Sequence, residues 1–132
     1  MSSFKRLAGS TAAHVATAAI LMGGWAPFAN RAHGISAAVA PALAQGAMSG
    51  LITLVLKRAL EAMAGRFPGV LAYAAPPLIT ASVILAVLAG VHLAIGTPEI
   101  WRTIAVPWTV STLYAAIYTA TLWRGATRAR AA

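Results

Sequence analysis

Long apolar runs separated by small groups of charged residues dominate the chain. Stretches without a formal charge cover 24 residues after Arg6, 25 after Arg31, 32 after Arg66 and 21 after Arg102. An apolar helix needs about 20 residues to cross a hydrocarbon layer of roughly 30 Å. The pattern therefore predicts four transmembrane helices, at about 10–28, 35–56, 77–95 and 99–123.

Prolines and a capping residue mark two of the predicted helix starts. The third helix is expected to begin at the Pro76-Pro77 pair, because proline suits a first turn and disfavours helix before itself. Residues 67–75 are then expected to form an interfacial segment. For the fourth helix, Thr97 is the expected N-cap, with Pro98 and Glu99 in the first turn.

Composition agrees with a membrane environment. Hydrophobic residues make up 60% of the chain and charged residues 9%, whereas a soluble domain typically has about 25% charged residues. The net charge of +8 falls in clusters between apolar runs and not along a solvated basic face, so nucleic-acid binding is not expected.

The distribution of Lys and Arg predicts the orientation. Four crossings that start in the cytoplasm leave two basic residues outside, Arg31 and Arg102, and eight inside: Lys5, Arg6, Lys57, Arg58, Arg66, Arg124, Arg128 and Arg130. The expected fold is an all-α membrane protein of two helical hairpins in one domain. Both termini are expected on the cytoplasmic side of the inner (plasma) membrane. A cleaved signal peptide is the alternative for the first helix, but the possible cleavage site at Ala42-Leu43-Ala44 lies inside the second apolar run.

A polar stripe follows the second predicted helix. Gln45, Ser49, Thr53, Lys57 and Glu61 recur at every fourth position and therefore lie along one face. An amide in hydrocarbon needs a hydrogen-bond partner, so Gln45 must face other helices or a hydrated cavity. Two interpretations remain open, a helix-packing seam and a substrate path.

Small residues beside the stripe favour close packing. Gly46 and Gly50 form a Gly-x-x-x-Gly motif, which lets another helix backbone approach closely.

Two further side chains are candidates for the substrate path. Tyr114 is expected near the bilayer centre, where its hydroxyl needs a partner, and Gln45 is the expected one. His14 lies about one turn inside the first helix, and it is a candidate either for an interhelical hydrogen bond or for a proton relay.

The basic residues at the cytoplasmic side also allow two interpretations. They determine topology, and they can also contact the phosphate of an anionic lipid. The expected headgroup contacts are Lys57, Arg58, Arg66 and Arg124.

The sequence has few residues that could support catalysis or metal binding. It has no cysteine and only two acidic residues, whereas hydrolytic and metal sites usually use carboxylates, His or Cys in combination. We expect no enzyme activity, no cofactor and no metal. Because neither acid is embedded in the bilayer, His14 is the only candidate for proton coupling.

Two functions remain. The first expectation is an oligomeric transporter or flippase for an amphipathic or anionic-lipid substrate. The alternative is a non-catalytic accessory or assembly subunit of a larger membrane complex. Four short helices bury little surface of their own, so we expect a homodimer or a larger assembly in either case.

Overall fold

Helices make up most of the part of the chain that the structure describes. This computed structural model describes the backbone of residues 2–131 and the side chains of residues 10–131. Its elements are α1 (Ser2–Ala29), a short 3-10 helix (Arg31–His33), α2 (Ile35–Met63), α3 (Leu71–Ala94) and α4 (Ile100–Ala131). No strand occurs among the described residues, which confirms the expected all-helical class.

Three of these helices are long and apolar enough to cross a membrane. They are Ser10–Ala29 within α1, Ile35–Met63 and Leu71–Ala94. Among the described residues, α4 is not one of these helices.

The polarity of the helix faces is the reverse of that in a water-soluble bundle. On α3 the outward positions include Leu78 and Val83, which are 66% and 57% exposed, whereas Thr80 and His92 are buried. On α4, Leu113 and Ile117 point outward while Thr103 is fully buried. Polar groups inside and aliphatic groups outside are expected when the surrounding solvent is lipid.

Close packing of α1 on α2 depends on small residues. A Cβ atom on Gly46 would lie 3.0 Å from the Ala19 carbonyl oxygen, and one on Gly23 would lie 3.3 Å from the Gly46 Cα. Gly50 lies against Val15 in the same seam. The two helices are antiparallel, because later residues of α2 contact earlier residues of α1. The glycine motif of α2 therefore faces α1.

The larger apolar core lies between α2, α3 and α4. Its buried members are Leu56, Leu60, Ile84, Leu88, Ile104 and Ala115. The Trp108 indole N–H donates to the Ala81 carbonyl at 2.9 Å and so joins α4 to α3. Helices α2 and α4 each contact all three of the other helices.

The start of α3 differs from the prediction. The helix begins at Leu71 and not at the proline pair. Its first amides bond three residues back, from Leu71 to Pro68 and from Tyr73 to Val70. The first turn therefore forms before Pro76, and the prolines are accommodated in the following turn. The expected interfacial segment ends at residue 70.

The start of α4 also differs. The helix begins at Ile100, and the Thr103 amide donates to the Glu99 carbonyl at 2.9 Å. Thr97 therefore precedes the first turn and is not its cap. The other differences are extensions: α1 begins at Ser2, α2 continues to Met63 and α4 continues to Ala131.

Candidate functional site

A buried hydrogen-bond network joins α2 to α3. The ring of His92 bonds through Nε2 to the Gln45 Oε1 at 2.9 Å and through Nδ1 to the Thr97 Oγ1 at 2.8 Å. The Gln45 Nε2 donates to the Ser49 Oγ at 2.9 Å. Gln45 and His92 are fully buried, and Ser49 and Thr97 are 5% exposed. Four polar side chains thus satisfy one another inside the bundle.

The turn after α3 places Thr97 against His92. Gly96 has a positive φ of 70°, a conformation that glycine adopts without steric cost. The Gly96 amide donates to the Leu93 carbonyl, and the Thr97 amide donates to the His92 carbonyl at 2.9 Å. These two bonds form the Schellman motif that commonly ends a helix. The hydroxyl of Thr97 is thereby brought back to the His92 ring.

The partners of His92 determine the position of its proton. The Gln45 amide oxygen can only accept a hydrogen bond, so the ring Nε2 carries a hydrogen. The Nδ1 of the neutral ring then accepts from the Thr97 hydroxyl. Hydrogen bonds run in one direction from Thr97 through His92 and Gln45 to Ser49. Each of the four side chains has a hydrogen-bond partner in the network, which favours a single fixed geometry of these side chains.

The stripe on α2 divides into a buried and an exposed part. The Thr53 hydroxyl donates to the Ser49 carbonyl of its own helix at 2.8 Å. Lys57 and Glu61 pair at 3.8 Å, as their four-residue spacing predicts, and both side chains are exposed. The Tyr118 hydroxyl donates to the Glu61 Oε1 at 2.7 Å. The exposed part of the stripe, Lys57 and Glu61, therefore forms a polar surface cluster with Tyr118 of α4.

Tyr114 was expected to bond to Gln45, and it does not. Its ring stacks on that of Tyr118, with centroids 5.5 Å apart, and the residue is 42% exposed. Gln45 is instead engaged by His92 on one side and Ser49 on the other. The expected pairing is wrong because α4 presents Tyr114 on its outer surface, away from the buried face of α2.

His14 bonds within its own helix. Its Nδ1 lies 2.6 Å from the Ser10 carbonyl oxygen and 3.4 Å from the Ser10 Oγ. The side chain is exposed. The structure therefore does not bring His14 into the network of Gln45.

A second buried cluster, which the sequence analysis did not identify, surrounds Asn30. Its Nδ2 donates to the Ala26 carbonyl and to the Thr103 Oγ1, each at 2.8 Å, and its Oδ1 accepts from the Glu99 amide at 2.9 Å. The side chain is fully buried. Asn30 thus ends α1 and caps the start of α4. The sequence around Asn30 indicates only a turn. Two of its partners, Thr103 and Glu99, are 73 and 69 positions away, so the sequence does not indicate them.

Neighbouring contacts hold the same end of the bundle. The Trp25 indole N–H donates to the Arg102 carbonyl at 2.9 Å. His33 and Glu99 pair at 3.2 Å. Within the described part of the chain, no group of three or more His, Cys, Asp or Glu side chains could hold a metal ion.

The four basic residues expected at lipid headgroups lie on α2, on α4 and in the connection between α2 and α3. Lys57 pairs with Glu61, and Arg58 and Arg124 are exposed on separate helices. Arg66 lines a groove at the end of the bundle where α2 and α4 finish.

Comparison with known proteins gives no assignment. No family model, no curated protein and no solved structure matches the chain.

Proposed function

We propose that this chain is a non-catalytic accessory subunit, a helical scaffold that stabilises a membrane assembly. The observation that carries the proposal is the burial and mutual hydrogen bonding of the Gln45 network. Each of its four side chains is at most 5% exposed and hydrogen bonded to another member. A substrate path needs polar groups that water or substrate can reach, whereas a scaffold needs groups that fix the helices relative to one another.

A four-crossing arrangement of two hairpins belongs to this proposal. Thr103, Ser111 and Thr119 are on the buried face of α4, while the outward positions Val110, Leu113 and Ile117 are apolar. From Trp101 to Trp123 an α-helix rises by about 33 Å, which matches a hydrocarbon core of roughly 30 Å. Tryptophan at both ends is typical of helices that end at membrane interfaces. These observations support a fourth crossing, and the distribution of Lys and Arg supports cytoplasmic termini.

Association with other chains is the second part of the proposal. Helix α1 packs along α2, but the described α1 side chains Ile20 and Leu21 remain 71% and 61% exposed. Its contact with α4 includes the hydrogen bond from Trp25. A peripheral helix with so little buried surface is well placed to pack on a second copy of the chain or on a larger membrane protein.

Transport is a second candidate because one polar cluster is accessible. Tyr114 is 42% exposed, and the neighbouring Glu61 bonds to Tyr118 and Lys57 near the end of α2. In an oligomer these groups could line a path between subunits for an amphipathic substrate. His14 does not adjoin them through any described hydrogen bond, so proton coupling through His14 has less support.

Cysteine labelling distinguishes the two candidates, since the chain has no cysteine of its own. Ser49→Cys and Thr53→Cys are compared with Ala47→Cys and Leu51→Cys in native membranes, using a water-soluble maleimide. A scaffold leaves all four positions protected. Labelling at 49 and 53 without labelling at 47 and 51 would establish a hydrated path and overturn the scaffold proposal.

Cross-linking tests the association. A Leu21→Cys variant is treated with a bismaleimide in native membranes, with Val83→Cys on α3 as the matched lipid-facing control. A product of twice the chain mass from Leu21→Cys alone indicates a homodimer through α1, and a larger specific product indicates another partner. If neither variant gives a product, α1 is not the interface.

A further inference from the structure

A groove at the end of the bundle lies between the α2–α3 connection and the last turns of α4. Its volume is about 920 Å³, within the usual range of about 300 to 1,000 Å³ for ligand pockets. Leu60, Phe67, Leu122 and Trp123 provide apolar walls, and Arg66 and Arg130 are the only charged lining residues among the side chains that the structure describes. The groove therefore combines an apolar interior with two positive charges.

Neither arginine of the groove has a carboxylate partner among the described residues. The two acids of the chain are engaged elsewhere: Glu61 pairs with Lys57, and Glu99 pairs with His33 and Arg102. The Thr119 side chain also lines the groove, is 4% exposed, and has a hydroxyl without a hydrogen-bond partner in the described structure. The groove thus contains uncompensated positive charge and one unsatisfied buried hydroxyl.

A smaller cavity at the opposite end shows the contrast. It has a volume of about 310 Å³ and also contains two arginines, Arg31 and Arg102. There, however, the Arg31 guanidinium lies 4.2 Å from the centre of the Phe28 ring and donates to the Phe28 carbonyl. Arg102 approaches Glu99 at 3.9 Å. Both arginines of the small cavity have partners within the chain, so of these two cavities the large groove is the one whose arginines have no carboxylate partner among the described residues.

We propose that the groove binds one anionic phospholipid. Arg66 and Arg130 contact the headgroup phosphate, since guanidinium groups bind phosphate through paired hydrogen bonds. The acyl chains follow the apolar walls at Leu60, Leu122 and Trp123. The apolar lining favours a lipid over a free phosphate ion, which would leave these walls in contact with water. The inference rests on the proposed topology, which places this end at the cytoplasmic membrane surface.

Lipid titration of the purified full-length chain tests the site. The delipidated protein is titrated with phosphatidylglycerol or phosphatidylcholine in detergent, and bound lipids are counted by native mass spectrometry. We expect one tight site for the anionic lipid. Each of Arg66→Gln and Arg130→Gln should weaken it about fivefold, the ratio that corresponds to about 1 kcal/mol per basic group.

Matched variants separate a built site from general surface charge. Arg128→Gln makes the same charge change on α4 at a position outside the groove, and it should leave the tight site unchanged. Ala126→Trp fills the groove without changing charge and should remove the site, whereas Ala129→Trp on the same helix should not.

Three results would overturn the proposal. They are a loss in Arg128→Gln equal to that in the two groove variants, binding that survives Ala126→Trp, and competition by millimolar inorganic phosphate in place of lipid. Binding in detergent does not depend on the number of membrane crossings. A failure here is therefore distinguishable from a failure of the proposed topology or scaffold role.

Discussion

His92 on α3 and Gln45 on α2 are 47 positions apart in sequence, yet their side chains bond at 2.9 Å in the interior of the bundle. Both residues are fully buried. The bond joins the first pair of helices to the second. It also leaves no polar atom of the His92 ring without a partner, because Thr97 occupies the other nitrogen.

We expect a measurable coupling energy between these two side chains. In a double-mutant cycle with Gln45→Leu and His92→Phe, each single variant leaves a buried polar group unpaired, and the double variant removes both. Interhelical hydrogen bonds in membrane proteins average about 0.6 kcal/mol and reach about 1.7 kcal/mol. The free energy of unfolding, measured in mixed micelles, should give a coupling within this range.

Tyr114→Phe provides the control for that cycle. Tyr114 stacks on Tyr118 and is outside the network, so its coupling to Gln45→Leu should be close to zero. A coupling of Gln45 to Tyr114 that equals or exceeds the coupling to His92 would contradict the observed pairing.

Asn30 should contribute strongly to stability. Asn30→Ala removes two donated bonds and leaves the Glu99 amide and the Thr103 hydroxyl without this partner. Because a lost buried partner costs about 1 to 3 kcal/mol, we expect a decrease of that size in the free energy of unfolding. Asn30→Asp keeps an acceptor for Glu99 but cannot donate, so it should not restore wild-type stability. A stability equal to wild type in Asn30→Ala would contradict the role assigned to this residue.

The sequence could predict which groups need partners but not which partners they find. The need of Gln45 for a hydrogen bond follows from its apolar surroundings. The choice of His92 depends on tilt and offset between helices, since Gln45 lies about three turns into α2 while His92 is close to the end of α3. Counting residues from the helix ends instead places Gln45 and Tyr114 at a similar depth in the bilayer.

The existence of the helices could be predicted, because the length of an apolar run is read from the local sequence alone. The start of α3 could not, because the bonds of Leu71 and Tyr73 to residues three positions earlier depend on the conformation of the preceding segment. The partners of Asn30 could not be predicted either, since tertiary packing brings the Glu99 amide and Thr103 to it.

A methyl group should be tolerated at a glycine of α1 that lies outside the seam with α2, and not at a glycine inside the seam. A Cβ at position 46 would be 3.0 Å from the Ala19 backbone oxygen, whereas nothing lies within 4 Å of one at position 24. Gly46→Ala should decrease the free energy of unfolding by about 1 to 3 kcal/mol through overpacking. Gly24→Ala should leave it unchanged or raise it by up to about 1 kcal/mol, because alanine is the better helix former. Equal effects of the two substitutions would show that the seam is looser than the structure indicates.

The number of crossings can be decided at the two ends of α4. Single cysteines at Ala32 and Ile95 lie in or beside the connections expected outside, and those at Ala64 and Ala129 lie at the ends expected inside. With four crossings, an impermeant maleimide added to intact cells should label positions 32 and 95, and it should label 64 and 129 only after permeabilisation. If α4 does not cross, position 129 is on the same side as position 95 and is labelled in intact cells, while position 64 stays protected and reports that the cells are intact. Thr103, Ser111 and Thr119 lower the mean hydropathy of α4 from its buried face. Since the outward-facing residues Val110, Leu113 and Ile117 are apolar, we expect the four-crossing pattern.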